Sequence, residues 1–369
     1  MKRIVFVTNI AVTHQIGIWD EFVKNEEVDF MYLVTSELSA ERKKMKYQNI
    51  NRKYIKKSKD YSMAELKKLV SNSDYLIFGC TDDKRIYSCF KYAKTILFIS
   101  EHLYKTNSLL ERINIKKFSC LINVLLTNQK CYLLSNSFYV KKDFAKARIP
   151  IKLSYKFGYY PPLDPIPLDE IHQKNKYEIV WCGRLLEWKN PLLAIKSLQY
   201  LLAFNQNYHL TMIGEGPEYK NLFIYCKQNN LLNNITFVRF VENCEVINYF
   251  KKSSLFLFTS NHSEGWGVVL NEAMSQGCFC ITSVEAGSTN FLIMNKENGL
   301  KYSSYADLRN MLFEYENMSQ NDIEKIQTNA VLSIQNYWNN TNAANQLYNF
   351  IILEDNFIPP VYGPMSLDE

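Results

Sequence analysis

Several things are missing from this sequence. No apolar run reaches the roughly 18 residues that a membrane-spanning helix needs, so none is expected. Nine cysteines is an odd number, and no two of them stand at the spacing of metal ligands. Cys278 and Cys280 are one residue apart in a strand-like run, so both point to one face. The five histidines form no cluster. Neither a metal site nor a disulfide framework is expected, and the thiols are read as reduced and mostly buried in a cytoplasmic protein. The opening MKRIVFVTNIAVTH has two basic residues and a short apolar run, but no small-residue cleavage site follows. Its rhythm is that of a first buried strand rather than of a signal peptide.

What is present is ordinary globular composition, 47% hydrophobic and 22% charged over 369 residues. That length exceeds one ordinary core and predicts two domains. The net charge of +6 hides a split. Residues 1–160 hold 29 Lys and Arg against 15 Asp and Glu, whereas residues 161–369 hold 14 against 22. A basic half suits an anionic membrane surface or a phosphate-bearing acceptor. The plain alternative is composition alone, since Lys, Asn, Ile and Tyr are abundant throughout. No nucleic-acid partner is expected.

Along the chain, short apolar runs alternate with amphipathic stretches. Strands are predicted at Arg3–Ile10, Val28–Val34, Asp74–Cys80, Thr95–Ser100 and Cys131–Ser135, with helices between them. Residues 36–60 are lysine-rich and read as an exposed loop. Residues 108–127 read as helical, either covering the domain or lying in a membrane interface. Four of the ten prolines fall in 158–176, at Pro161, Pro162, Pro165 and Pro167, which reads as a linker. The alternation then restarts with EIVWCGR, YHLTMIG, ITFVRF, LFLFTS and FCITSV, and ends in helices. Strand–helix alternation means parallel strands with crossovers. The expected fold is therefore α/β, two doubly wound Rossmann-like domains facing each other across a cleft. The expected boundaries are 1–160, a linker at 161–176, a second domain at 177–353 and a tail at 354–369.

Three strand ends of the second half carry candidate chemistry. In CGRLLEWKNP, Gly183 and Arg184 close a strand and Lys189 follows, with Asn190 as N-cap and Pro191 at N1. Two cations at a strand's carboxyl end suit a diphosphate, or are solvated surface charges. In IGEGPE, Gly214 and Gly216 flank Glu215; the glycines admit a close ligand or simply make a tight turn. In SEGWGVVLNEAMSQG, Gly265, Trp266, Gly267 and Val268 open a helix whose N-terminus favours an anion. Glu264 precedes that turn. Glu272 lies inside the helix, where side chains tilt back toward the N-terminus and a ribose diol would be within reach. Phosphate on the backbone and hydroxyls on carboxylates describe a sugar nucleotide.

EGWGVVLNEAMSQG resembles the Glu–seven residues–Glu signature of retaining family 4 glycosyltransferases, which have the GT-B fold. GRLLEWKNP, IGEGP, FTSNHSEGWGVVLNEAMSQG and AGSTNFLI followed by ENGLKY come in that family's order over residues 178–302. THQIGIWDEF and CYLLSNSF…KFGYYP look like bacterial enzymes that build capsule, exopolysaccharide or O-antigen chains. The resemblance implies that Arg184 and Lys189 hold the diphosphate of a UDP- or GDP-sugar. It implies Glu264 on the transferred sugar, Glu272 on the ribose, and the N–H groups of Trp266, Gly267 and Val268 on the leaving phosphate. No metal or other cofactor is implied. His102 would stand near the transferred sugar, with Asn9, His14 and Gln15 on the acceptor side, although the glycine-rich loop of many relatives is here NIAVTHQIG with the single Gly17. The acceptor would be a lipid-linked glycan at the inner face of the cell membrane. A sugar-nucleotide epimerase of the same fold and a non-catalytic nucleotide-sugar-binding subunit are the alternatives.

Overall fold

The computed structural model describes residues 1–38, 50–106, 108–126, 129–239 and 241–368. They form two compact units, residues 1–162 with 339–369, and residues 163–338.

The first unit is built on a seven-stranded sheet in the order β3-β2-β1-β4-β5-β6-β7. The strands are β1 (Lys2–Thr8), β2 (Val28–Val34), β3 (Ile55–Lys57), β4 (Tyr75–Phe78), β5 (Thr95–Ser100), β6 (Lys130–Ser135) and β7 (Leu153–Lys156). Every pairing among them is parallel. The central runs, such as YLIF in β4, are buried at every position, as expected of strands covered on both faces by crossover helices. Helix Met63–Asn72 shows how sharply the chain marks its turns. Ser62 caps it, and Glu65 returns a bond to the Ser62 N–H, the reciprocal pattern that satisfies two end donors at once.

The second unit holds β8 (Asn175–Cys182), β9 (His209–Ile213), β10 (Ile235–Val238), β11 (Ser253–Phe258), β12 (Phe279–Ser283) and β13 (Leu300–Tyr302), in the order β10-β9-β8-β11-β12-β13 and again all parallel. Each sheet reverses its winding once, between β1 and β4 and between β8 and β11. Such reversals open a crevice at the carboxyl ends of the strands, where ligands of doubly wound folds bind.

Four sequence expectations need correction. Helix Asn340–Leu353, read as part of the 177–353 domain, belongs to the first unit. Its Phe350 ring lies 5.0 Å from Tyr132 and 5.3 Å from Tyr155, and the Tyr75 hydroxyl donates to the Ile351 carbonyl. Periodicity reveals that a helix has an apolar face, not which sheet that face covers. The 354–369 tail also joins the first unit. Leu367 bridges Tyr155 antiparallel, and the backbone bonds of Met365 and Asp368 run to Lys156 and Ser154, which covers part of the exposed edge of β7. The proline-rich 161–176 stretch is packed rather than open. Ile166 and Ile171 are buried with Val331, and the buried Lys174 ammonium donates to the carbonyls of Phe250, Lys251 and Ser253 at 2.7–2.9 Å, capping the end of helix Asn243–Lys252. Within 36–60 the chain forms β3 and a short turn of helix at Ser58–Asp60; residues 39–49 of that expected loop lie outside the described residues.

Candidate active site

The second unit's crevice begins where β8 and β11 end. Beyond β11, Thr259 and Ser260 turn toward the segment that follows β8. The Trp181 indole N–H donates to Thr259 Oγ1, and that hydroxyl donates to the Lys189 carbonyl, both at 2.8 Å. The Asn261 N–H adds a bond to the Trp188 carbonyl at 2.9 Å. These bonds stitch the two loops together and carry Lys189 inward. Its ammonium forms an ion pair with Glu264 Oε2, with side-chain exposures of only 12% and 9%. Ser260 Oγ donates to the same carboxylate oxygen at 2.9 Å, and the ammonium lies 4.6 Å from the Trp188 ring. A charge this buried is costly unless paired, so Lys189 and Glu264 hold each other in place. An ammonium has three donors, which leaves Lys189 capacity for a ligand while it keeps Glu264.

The glycine turn is shaped from behind. Gly267 has φ +89°, and a Cβ there would overlap the Phe258 ring, so both conformation and space require glycine. Trp266 is a core residue. It is buried among Phe291 and Trp338 at centroid distances of 5.9 and 6.0 Å, and its indole N–H donates to Asn271 Oδ1 at 2.9 Å. Its side chain therefore anchors the turn and leaves only backbone for a ligand. The helix that follows is Val269–Ser275, shorter than the sequence pattern implied. Glu272 is buried in it. Burial pushes its carboxyl up to about 7, against a hydrogen bond from Asn243 that pulls it down. The thiol of Cys182, at the end of β8, is pushed up to about 12 by burial with the Glu272 charge adding to the effect. Glu272 lies in the helix that follows the glycine turn at the end of β11, the turn that also carries Glu264.

Gly214 and Gly216 have a structural reason to be glycine. Their loop zips onto the loop after β8 through Gly183 N–H to the Ile213 carbonyl at 3.0 Å and Leu185 N–H to the Glu215 carbonyl at 2.9 Å. A Cβ at Gly214 would overlap the Gly183 carbonyl, and one at Gly216 the Leu185 carbonyl. Glu215 and Arg184 are exposed on this paired edge. Asn190 occupies the expected position before Pro191 but is left-handed, with φ 50° and no side-chain cap bond. It turns the chain rather than capping the helix.

All four remaining candidates lie in the first unit: Asn9 and His102 just beyond β1 and β5, and His14 and Gln15 in the first turn of helix Thr13–Phe22 rather than in the loop before it. His102 is buried. Its Nδ1 is 2.6 Å from Asp143 Oδ2, an oxygen that also accepts from the Leu103 N–H at 2.7 Å, and its ring stacks on Tyr139 at 4.3 Å. The Asn9 side-chain oxygen bonds the Cys80 thiol across the β1–β4 reversal. The His14 ring meets Tyr159 edge-on at 4.6 Å, and Tyr159 donates to Glu101, whose other oxygen pairs with Lys105. Burial raises the Glu101 carboxyl, but Lys105, Tyr159 and His14 outweigh it and hold the group below its ordinary value. Gln15 is half-buried in the first helix. Sequence reading missed Asp143, Glu101, Tyr159 and Asn243. Asp143, Tyr159 and Asn243 carry no local signal, because each acts on a residue distant in sequence; the Glu101–Lys105 pair, four residues apart, was the one spacing that could have been read. Among the described residues, no group of three or more His, Cys, Asp or Glu is arranged to hold a metal.

Two parallel, doubly wound units with a glycine turn and buried carboxylates at a strand-order reversal define the class: an α/β protein of GT-B architecture. Residues 167–325 match the sequence model of the family "Glycosyl transferases group 1". A stretch of 144 residues is 28% identical to poly(glycerol-phosphate) alpha-glucosyltransferase of Bacillus subtilis (strain 168); it takes in 39% of this chain and 21% of that protein. Over the whole fold the chain is similar to Anabaena HepE in complex with UDP, with a TM-score of 0.69 and 14% identity over 95% of this chain and all of that one. It is similar too to a glycosyltransferase of Rickettsia africae, with a TM-score of 0.62 and 15% identity over 96% and 99% of the two chains.

Proposed function

We propose that this protein is a retaining, metal-independent glycosyltransferase. In this reading it moves a hexose-type residue from a UDP- or GDP-sugar to a growing lipid-linked glycan of a bacterial surface polysaccharide, at the inner face of the cell membrane. The observation that carries the reading is the buried Lys189–Glu264 pair at the β8–β11 reversal, followed by the glycine turn and the helix with the buried Glu272, within the segment that matches the group 1 model. Arg184 and Lys189 neutralise the donor diphosphate, and Glu264 accepts hydroxyls of the transferred sugar while bonded to Lys189. Glu272 holds the ribose diol. The N–H groups of the 266–268 turn meet the phosphate as negative charge develops on it, where preorganised donors act most strongly. The acceptor oxygen attacks the anomeric carbon from the face the phosphate leaves. The carbon–phosphate-oxygen bond breaks, the new glycosidic bond forms with configuration kept, and the acceptor's proton passes to the departing phosphate. His102, oriented by Asp143, assists at the sugar.

The test is turnover of UDP- and GDP-hexoses with a lipid-linked acceptor fraction, followed by NMR assignment of the product's anomeric centre. A product of retained configuration is expected, lost in Glu272→Ala and in Arg184→Ala. An inverted product, an epimerised nucleotide sugar formed without acceptor, or full activity in either variant overturns the reading.

A further inference from the structure

At the other end of the second unit's sheet from the glycine turn, helices Tyr305–Asn317 and Gln320–Asn336 and the 294–299 loop line an open cavity of about 770 Å³. Sites that hold small molecules span about 300–1,000 Å³. The strands fix where this cavity lies. Its loop enters β13 at the amino end, and the Lys176 ammonium, at the start of β8, donates to the Glu316 carbonyl at 2.6 Å. The candidate active site stands at the carboxyl ends of the same parallel strands, on the order of 20 Å away for strands of this length. The cavity walls are held in place. Asn298 is buried and donates to the Leu292 carbonyl and to Ser333 Oγ at 3.0 and 2.9 Å. Lys296 is left-handed, with φ 69°, and pairs with Glu314 at 3.0 Å. Asn329 ties helix Gln320–Asn336 to the loop by donating to the Glu297 carbonyl at 2.9 Å.

The lining selects the kind of ligand. Its two ammonium groups, on Lys296 and Lys325, stand among three carboxylates, on Glu297, Glu314 and Asp322, so an anion gains nothing by entering. Among the described residues no three such acids are arranged to hold a metal. Asn310 and Lys325 make no hydrogen bond or ion pair among the described residues. That leaves an amide that both donates and accepts, and an ammonium with three donors, for a ligand. Phe313 adds an aromatic surface: it is 50% exposed and its ring is braced by Phe204 at 5.9 Å. A sugar ring matches this mixture, with hydroxyls on its rim for the amides and carboxylates and C–H groups on its face for the aromatic ring. We propose that this cavity binds a neutral oligosaccharide. On the transferase reading above, on which this further step rests, that oligosaccharide is the stretch of glycan already built. Holding it there raises the effective concentration of its growing end at the distant β8–β11 site.

Saturation-transfer difference NMR of the full chain with maltohexaose, cellohexaose and chitohexaose tests it. At least one of the three should give a signal that survives an excess of UDP, because the cavity is separate from the β8–β11 site. Asn310→Ala/Lys325→Ala should weaken that binding at least about fivefold, and Phe313→Ala should weaken it as well. Asn310 and Lys325 are exposed, so the double variant should keep the parent's thermal melt and decides the matter if Phe313→Ala melts early. In turnover, the double variant should raise KM for a long glycan acceptor about tenfold and leave kcat and KM for the nucleotide sugar unchanged. No signal from any of the three sugars, a signal that UDP removes, a double variant that binds like the parent, or tighter binding of the anionic hexagalacturonate overturns the proposal. An unmoved KM for the long acceptor overturns the holding role. Oligosaccharide binding by a chain that transfers nothing would sink the transferase reading and leave the cavity's ligand standing.

Discussion

The two units solve the same topological problem with different materials. At the second unit's reversal, the strand ends are locked by backbone bonds and by glycines that allow contact closer than any side chain permits. Buried inside that rigid frame are an ion pair and a carboxyl raised by burial. At the first unit's strand ends, the functional groups are held by side chains instead: Asp143 on His102, Tyr159 and Lys105 on Glu101, Cys80 on Asn9. The difference teaches where pre-organisation resides. Where backbone bonds and glycines share the frame with side chains, one polar substitution shifts it less than where side chains alone hold the groups.

The largest expected effect breaks the frame's central pair. Lys189→Met leaves the Glu264 carboxylate buried without its cation and should cost about 3–5 kcal/mol of unfolding free energy. Chemical denaturation measures it, and the double variant Lys189→Met/Glu264→Gln should recover a large part. A loss below about 1 kcal/mol in the single variant would mean that solvent reaches the pair, and would erase the contrast with the surface pairs of the first unit.

The second effect is a pH dependence. Glu272 titrates at about 7 in the fold against an ordinary value of 4.5. The folded state therefore holds a proton that the unfolded chain has already released between those values. The sign follows: this carboxyl's contribution favours folding at low pH and is lost as pH rises from about 4.5 to about 7. Glu272→Gln should remove that contribution to the slope and make the protein about 3 kcal/mol more stable than the parent at pH 8. Parallel melts from pH 5 to pH 8 read the difference, and identical slopes in the two proteins would remove Glu272 from the buried set.

The smallest effect falls in the first unit. Asp143→Asn keeps the shape beside His102 but replaces a charged acceptor by a neutral one, at an expected cost of about 1–2 kcal/mol. If His102 acts in turnover, kcat should fall while KM for the nucleotide sugar stays put. Loss of stability without that split would make the pair purely structural.

Much of this was legible in the chain itself. Apolar runs in β4, β5 and β11 are short and bounded by turn residues, so these strands and the doubly wound class followed from pattern, whereas the three- and four-residue strands β3, β7 and β13 were too short to show one. Lys189, Glu264 and Glu272 stood out because strand ends in one parallel sheet must lie side by side. Their electrostatics did not stand out. Lys189 and Glu264 are 75 residues apart, and nothing local shows that a lysine read as a phosphate ligand already has a carboxylate partner. Gly214 and Gly216 could have admitted a ligand or made a tight turn, and the structure gives them a packing reason. His102 could have been a surface-loop residue; Asp143, 41 residues away, is what holds its ring in place.

What the sequence determined by itself is the longer strands and helices, the two-domain plan and the three polar loops, because periodicity and turn chemistry act over a few residues. What only the tertiary structure decided is which surface each apolar face meets. The last helix returns to the first sheet, the proline-rich stretch packs into the second unit, and Leu109–Leu125 keeps one apolar side for its own core and turns the other to solvent. A hydrophobic face states that burial is favourable. It is non-directional, and only the assembled surfaces determine what supplies that burial.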